Sequence, residues 1–140
     1  MDTNVVVSGL LTPGGVCAEI VDRLRAGEFQ LCVNGPILIE YDEVLNRADL
    51  PFPAGAVGDF IDFLRHQAAL VDAPLLAGHL PDESDRPFLE VSLAAGAVLA
   101  TGNRRHFPAK SSKGAKVVSP AEFLTLLRSA PQSGGRTGTS

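Results

Sequence analysis

The stretch PDESDRPFLEVSLAAGAVLATGN, residues 81–103, decides the fold class. It opens on an acidic turn, enters a helix that runs to about residue 95, and returns through the apolar run 98–100 to Thr101-Gly102-Asn103. Phe88, Leu89, Ser92 and Leu93 recur at helical steps and form one inward stripe. Asp85 falls on that stripe, whereas Glu90 points away from it. The run 98–100 reads as a short buried strand, so the segment is a helix delivered straight into a strand.

The same alternation extends outward in both directions. Val16, Ile20, Val21 and Leu24 predict a helix over 16–25, with Gly27 as its stop. A buried strand over 29–33 ends at the breaker Asn34-Gly35-Pro36, and a second helix runs from Pro36 to about residue 45. Val57, Phe60, Ile61 and Leu64 predict a helix over 56–69, followed by a candidate strand at 70–71. A last strand at 116–118 and a helix over 120–127, with proline where a missing N–H is tolerated, complete the domain. Strands separated by helices predict an α/β domain with a mostly parallel sheet covered on both faces, a three-layer α/β/α arrangement. In such sheets ligands bind beyond the carboxyl ends of the strands, so acidic residues at those places are the ones to inspect.

Composition sets the limits. At 140 residues the chain suits one domain, expected over 1–128, with the Gly/Ser/Thr/Pro tract 129–140 as a flexible tail. No run of apolar residues reaches the roughly 18 to 20 that a membrane span needs, and no secretory leader is evident, so a cytoplasmic protein without a membrane partner is expected. Cys17 and Cys32 lie in apolar segments without metal-type spacing and read as buried reduced thiols. A net charge of −4 argues against gripping nucleic acid by bulk positive charge. Five of the twelve Lys and Arg residues, however, fall at Arg104, Arg105, Lys110, Lys113 and Lys116, so the basic charge is concentrated in one place.

Several acidic residues are placed to share a metal. Asp2 would sit at the tip of a preceding strand, with Thr3 and Asn4 holding a turn through side-chain hydrogen bonds; the plain alternative is an exposed terminal aspartate. On the helix over 36–45, Glu40 and Asp42 border opposite edges of the apolar arc made by Ile37, Leu38, Tyr41, Val44 and Leu45, while Glu43 lies well outside it. Geometry alone does not separate Glu40 from Asp42. Asp85 aims inward, or else caps its helix. Asp82 is a loop charge or an outer ligand. Thr101 and Asn103 stand at the end of the strand over 98–100, where Asn103 either orients a metal-bound water or builds the turn.

Taken in order, Asp2-Thr3-Asn4 with Ser8-Gly9, Ile39-Glu40-Tyr41 with Glu43-Val44-Leu45, residues 82–85 leading into Phe88-Leu89-Glu90, and Thr101-Gly102-Asn103 with His106-Phe107 resemble a PIN domain. The subgroup they are most similar to is the toxin component of bacterial toxin–antitoxin systems, the VapC-like ribonucleases, and the likeness runs over about residues 2–127. The resemblance implies that Asp2, Glu40 and Asp85 occupy the three acidic positions that bind Mg2+ or Mn2+, that Asn103 stands where many members carry a fourth acid, and that Thr101 supports the site. It implies endonucleolytic RNA cleavage, with Asp2, Glu40, Asp85 and Asn103 as the catalytic set. It also implies inhibition by a cognate antitoxin and a possible homodimer.

Mg2+ prefers oxygen ligands and retains waters, which suits three carboxylates around an open position. Arg104, Arg105 and His106, on the loop beside the site, are expected to neutralise the RNA backbone, with packing of His106 on Phe107 as the alternative. Two departures from the family pattern stand out. Only Met1 precedes Asp2, so the first strand is expected to be truncated, and Asn103 brings no charge. The competing readings are a catalytically silent module that binds antitoxin or RNA without turnover, and a receiver-type signalling domain. The second fits poorly, because the strand over 29–33 ends in Asn34-Gly35 where a phosphoacceptor aspartate belongs.

Overall fold

The computed structural model describes residues 1–129. Asp2 caps the first helix, α1 (Thr3–Leu11), by accepting the Thr3 N–H at 2.8 Å. Thr3 and Asn4, expected to hold a turn, are instead the first residues of this helix. Val5 and Val6 disfavour a helix by their branching, and what holds them is burial against the rest of the core.

α2 (Val16–Arg25) meets α1 at 96°. The crossing needs Gly9, because a Cβ there would stand 2.5 Å from Val21 Cγ2 and 2.8 Å from the Cys17 carbonyl oxygen. Next come β1 (Cys32–Val33) and α3 (Gly35–Leu45), the latter capped by Asn34, whose Oδ1 accepts the Ile37 N–H at 3.0 Å. α4 (Ala56–Gln67) and β2 (Ala69–Leu70) follow. A 3-10 turn (Glu83–Asp85) leads into α5 (Arg86–Ala95), then β3 (Leu99–Ala100), β4 (Val117–Val118) and α6 (Pro120–Ser129). Ser119 and Glu122 cap α6 reciprocally, at 2.8 and 3.1 Å.

The helices and strands alternate as the periodicity predicts, and the protein is α/β. Its strands are parallel, but they form two pairs rather than one sheet among the described residues: β1 with β2, Cys32 opposite Ala69, and β3 with β4, Leu99 opposite Val117. Met1 and Asp2 tie β3 to α3. The Asp2 N–H donates to the Ala100 carbonyl at 2.8 Å on β3, and the Tyr41 hydroxyl of α3 donates to the Met1 carbonyl.

One hydrophobic cluster joins all six helices with β1, β3 and β4. In α5 the five consecutive residues Phe88, Leu89, Glu90, Val91 and Ser92 are all buried, and Leu93 is only half-buried. Glu90 therefore does not face solvent. The segment 71–80 folds over it, and its carboxylate accepts the Leu76 N–H at 2.7 Å. Arg86 fastens the same segment by donating to the carbonyls of Leu76 and Gly78 at 2.8 and 2.7 Å.

Cys17 and Cys32 are free and half-buried. Among the described residues no single helix is long and apolar enough to cross a membrane. Ser129 is the last residue of α6, and 130–140, which hold the rest of the expected tail, lie outside the described residues.

Candidate metal centre

Asp2 enters the site directly from its backbone bond to Ala100 of β3. Its side chain is buried and doubly held, Oδ1 by the Thr3 N–H and Oδ2 by the Thr101 hydroxyl at 2.6 Å. Thr3 in turn donates its hydroxyl to Glu40 Oε2, which ties α1 to α3. Glu40 is half-buried, whereas Asp42 is exposed and engaged with Asn46 at the end of its own helix. The choice left open by the helical wheel thus falls on Glu40 as the residue facing the site.

Asp85 stands at the junction of the 3-10 turn and α5 with its side chain 8% exposed. It makes no capping bond, so the helix-cap alternative does not account for it. Its Oδ2 is buried without a hydrogen-bond partner. His106 Nδ1 lies 2.9 Å from that oxygen, a charge-pair distance without the direction of a hydrogen bond. Burial pushes the Asp85 carboxyl up to about 6; the charges of Asp2, Asp82 and Glu40 add to the rise, and His106 opposes it. Burial, again helped by Asp2 and Glu40, holds the Tyr41 hydroxyl well above its ordinary value. The three acids Asp2, Glu40 and Asp85 thus act on one another across one small region.

Proximity is not convergence. The tightest group of metal-capable side chains among the described residues is Asp82, Asp85 and His106, whose ligand atoms all lie within 4.8 Å of one another; Asp2 and Glu40 are outside it. Asp82 is exposed and caps the 3-10 turn, accepting the Ser84 N–H at 2.9 Å and the Ser84 hydroxyl at 2.7 Å. Those two bonds, with His106 nearby, hold its carboxyl below the usual range.

The loop after β3 surrounds the acids. Thr101 is fully buried, donating to Asp2 and accepting the Asn103 N–H at 3.0 Å. The Asn103 amide rests 2.9 Å from His106 Nε2. Asn4 Oδ1 accepts the Gly102 N–H at 3.2 Å and binds the loop to α1. Arg104, exposed, is paired with Glu122 of α6. Arg105 is exposed and forms no ion pair among the described residues. His106 stands against Asp85; nothing in the linear spacing signals that approach.

A buried carboxylate oxygen without a donor, surrounded by further carboxylates, is a place where only a proton or a cation relieves the repulsion. The donor set fits a divalent metal, with oxygens from Asp85 and Asp82 at its centre and Asp2 and Glu40 beside them. No curated protein and no solved structure matches the chain. A family model described as PIN domain matches residues 1–105. PIN domains are generally nucleases and typically bind a divalent metal. With three quarters of its length under that match, the chain belongs to the PIN domain family.

Proposed function

We propose that the protein is a metal-dependent endoribonuclease, acting as the toxin of a toxin–antitoxin pair, with Asp2, Glu40 and Asp85 around Mg2+ or Mn2+. The observation that carries the reading is the buried, partnerless Oδ2 of Asp85 among the charges of Asp2, Asp82 and Glu40. A divalent cation held there supplies positive charge for the phosphoryl oxygens and lowers the pKa of an attacking water. Thr101 and Thr3 hold Asp2 and Glu40 in place, so those carboxylates need little reorganisation when substrate arrives. Arg105, exposed on the same loop, meets an RNA phosphate. In this reading the domain is completed as a three-layer α/β/α unit, and an antitoxin blocks the acidic site; pairing of two copies follows the habit of similar domains.

A catalytically silent module is the second reading, favoured by one observation: Asp2 and Glu40 stand outside the tight group formed by Asp82, Asp85 and His106. Both readings are tested by incubating the purified chain with structured and unstructured RNAs in Mn2+, Mg2+ or EDTA. The enzyme cleaves internally with either metal, loses activity in EDTA, and is inactivated by Asp85→Asn. A chain that leaves every RNA intact in both metals is the silent module.

A further inference from the structure

We propose that His106 is a direct nitrogen ligand of the metal, so that Asp82, Asp85 and His106 form the inner set and the centre takes Mn2+ in preference to Mg2+. This rests on the metal-binding part of the proposed function and on none of its RNA chemistry. Three observations carry it. The ligand atoms of these residues are already within 4.8 Å of one another, as ligands sharing one ion must be. Asp85 Oδ2 is buried without a donor although His106 Nδ1 is 2.9 Å away, so the two atoms face each other across a gap that no hydrogen bond spans. His106 is also held from behind, its Nε2 lying 2.9 Å from the Asn103 amide.

The tautomer that metal binding needs is compatible with the Asn103 contact. The two ends of an amide exchange by half a turn, and with Oδ1 toward the ring Asn103 accepts the Nε2 proton. The Nδ1 lone pair is then free to meet a cation, with Nδ1 2.9 Å from Asp85 Oδ2. Histidines that bind metal are ordinarily fixed by such a second contact. Asn103 is a positioning residue in this arrangement, which gives its place beside the site a role that needs no charge. An imidazole among oxygen ligands suits first-row transition ions and gains nothing for Mg2+, which demands oxygen and keeps its waters. The side chain is 38% exposed, leaving an entry path for a hydrated ion.

The test is electron spin-echo spectroscopy of the full chain loaded with Mn2+ alone, with competition by Mg2+ measured on the same samples. Wild type shows nitrogen modulation from one imidazole and binds Mn2+ at least about tenfold more tightly than Mg2+. His106→Asn and His106→Ala lose the modulation and most of the preference while keeping wild-type circular dichroism; Asn103→Ala weakens Mn2+ by about tenfold with the modulation retained. Bound Mn2+ without nitrogen modulation, or with affinity unchanged in both His106 variants, overturns the inference and leaves a carboxylate-only centre and the nuclease reading standing. A wild-type chain that binds no Mn2+ overturns both.

Discussion

Replacing Asp85 by asparagine is expected to stabilise the metal-free protein at neutral pH. The amide keeps the shape of the carboxylate and removes a charge opposed by burial and by Asp2, Asp82 and Glu40. The rise of this carboxyl from 3.8 to about 6 corresponds, at roughly 1.4 kcal/mol per pKa unit, to about 3 kcal/mol against the ionised form. Water at the mouth of the site screens part of that, so about 1–2 kcal/mol of gain is expected at pH 7.5.

The sign follows from linkage. A carboxyl whose folded pKa exceeds its unfolded one contributes stability fully below the unfolded value of 3.8, and that contribution is lost as pH rises through about 6. The advantage of the variant should therefore shrink to about a third at pH 4.5. Urea denaturation followed by circular dichroism in EDTA, at the two pH values, measures both quantities. An Asp85→Asn variant no more stable than wild type at pH 7.5, or one with the same gain at both pH values, refutes the claim that Asp85 is held ionised against its surroundings. Saturating Mn2+ should reverse the order, because only wild type then gains binding energy.

Thr101→Val removes the 2.6 Å bond to the buried Asp2 carboxylate and is expected to cost about 1.5–3 kcal/mol, read from the urea midpoint, with Thr101→Ser retaining most of the stability. Gly9→Val forces α1 away from α2, since even a Cβ would meet Val21 and the Cys17 carbonyl below 3 Å; a loss of about 1–3 kcal/mol, measured by thermal unfolding, is expected. A Gly9→Val protein as stable as wild type would show that this crossing is looser than the packing implies.

Much of the fold is legible in the chain because helical periodicity is a local property. Val16, Ile20, Val21 and Leu24 announce α2, and Val57, Phe60, Ile61 and Leu64 announce α4, each within a residue or two of its observed ends. α1 is not announced in this way. Val5, Val6 and Val7 carry no clear stripe, and the cap that starts the helix is an aspartate whose position also suits the end of a strand. Glu90 looks solvent-facing on a helical wheel because the wheel assumes one covered face, and the segment 71–80 adds a second.

The sequence by itself determined the α/β alternation, the inward aim of Asp85, and the set of acids worth inspecting, since each depends on residues a few positions apart. Only the tertiary structure decided that Thr3 joins Asp2 to Glu40, that Arg104 is taken by Glu122, and that His106 stands against Asp85. Those contacts join distant parts of the chain, and no local pattern of polarity encodes which charged groups meet once the helices pack.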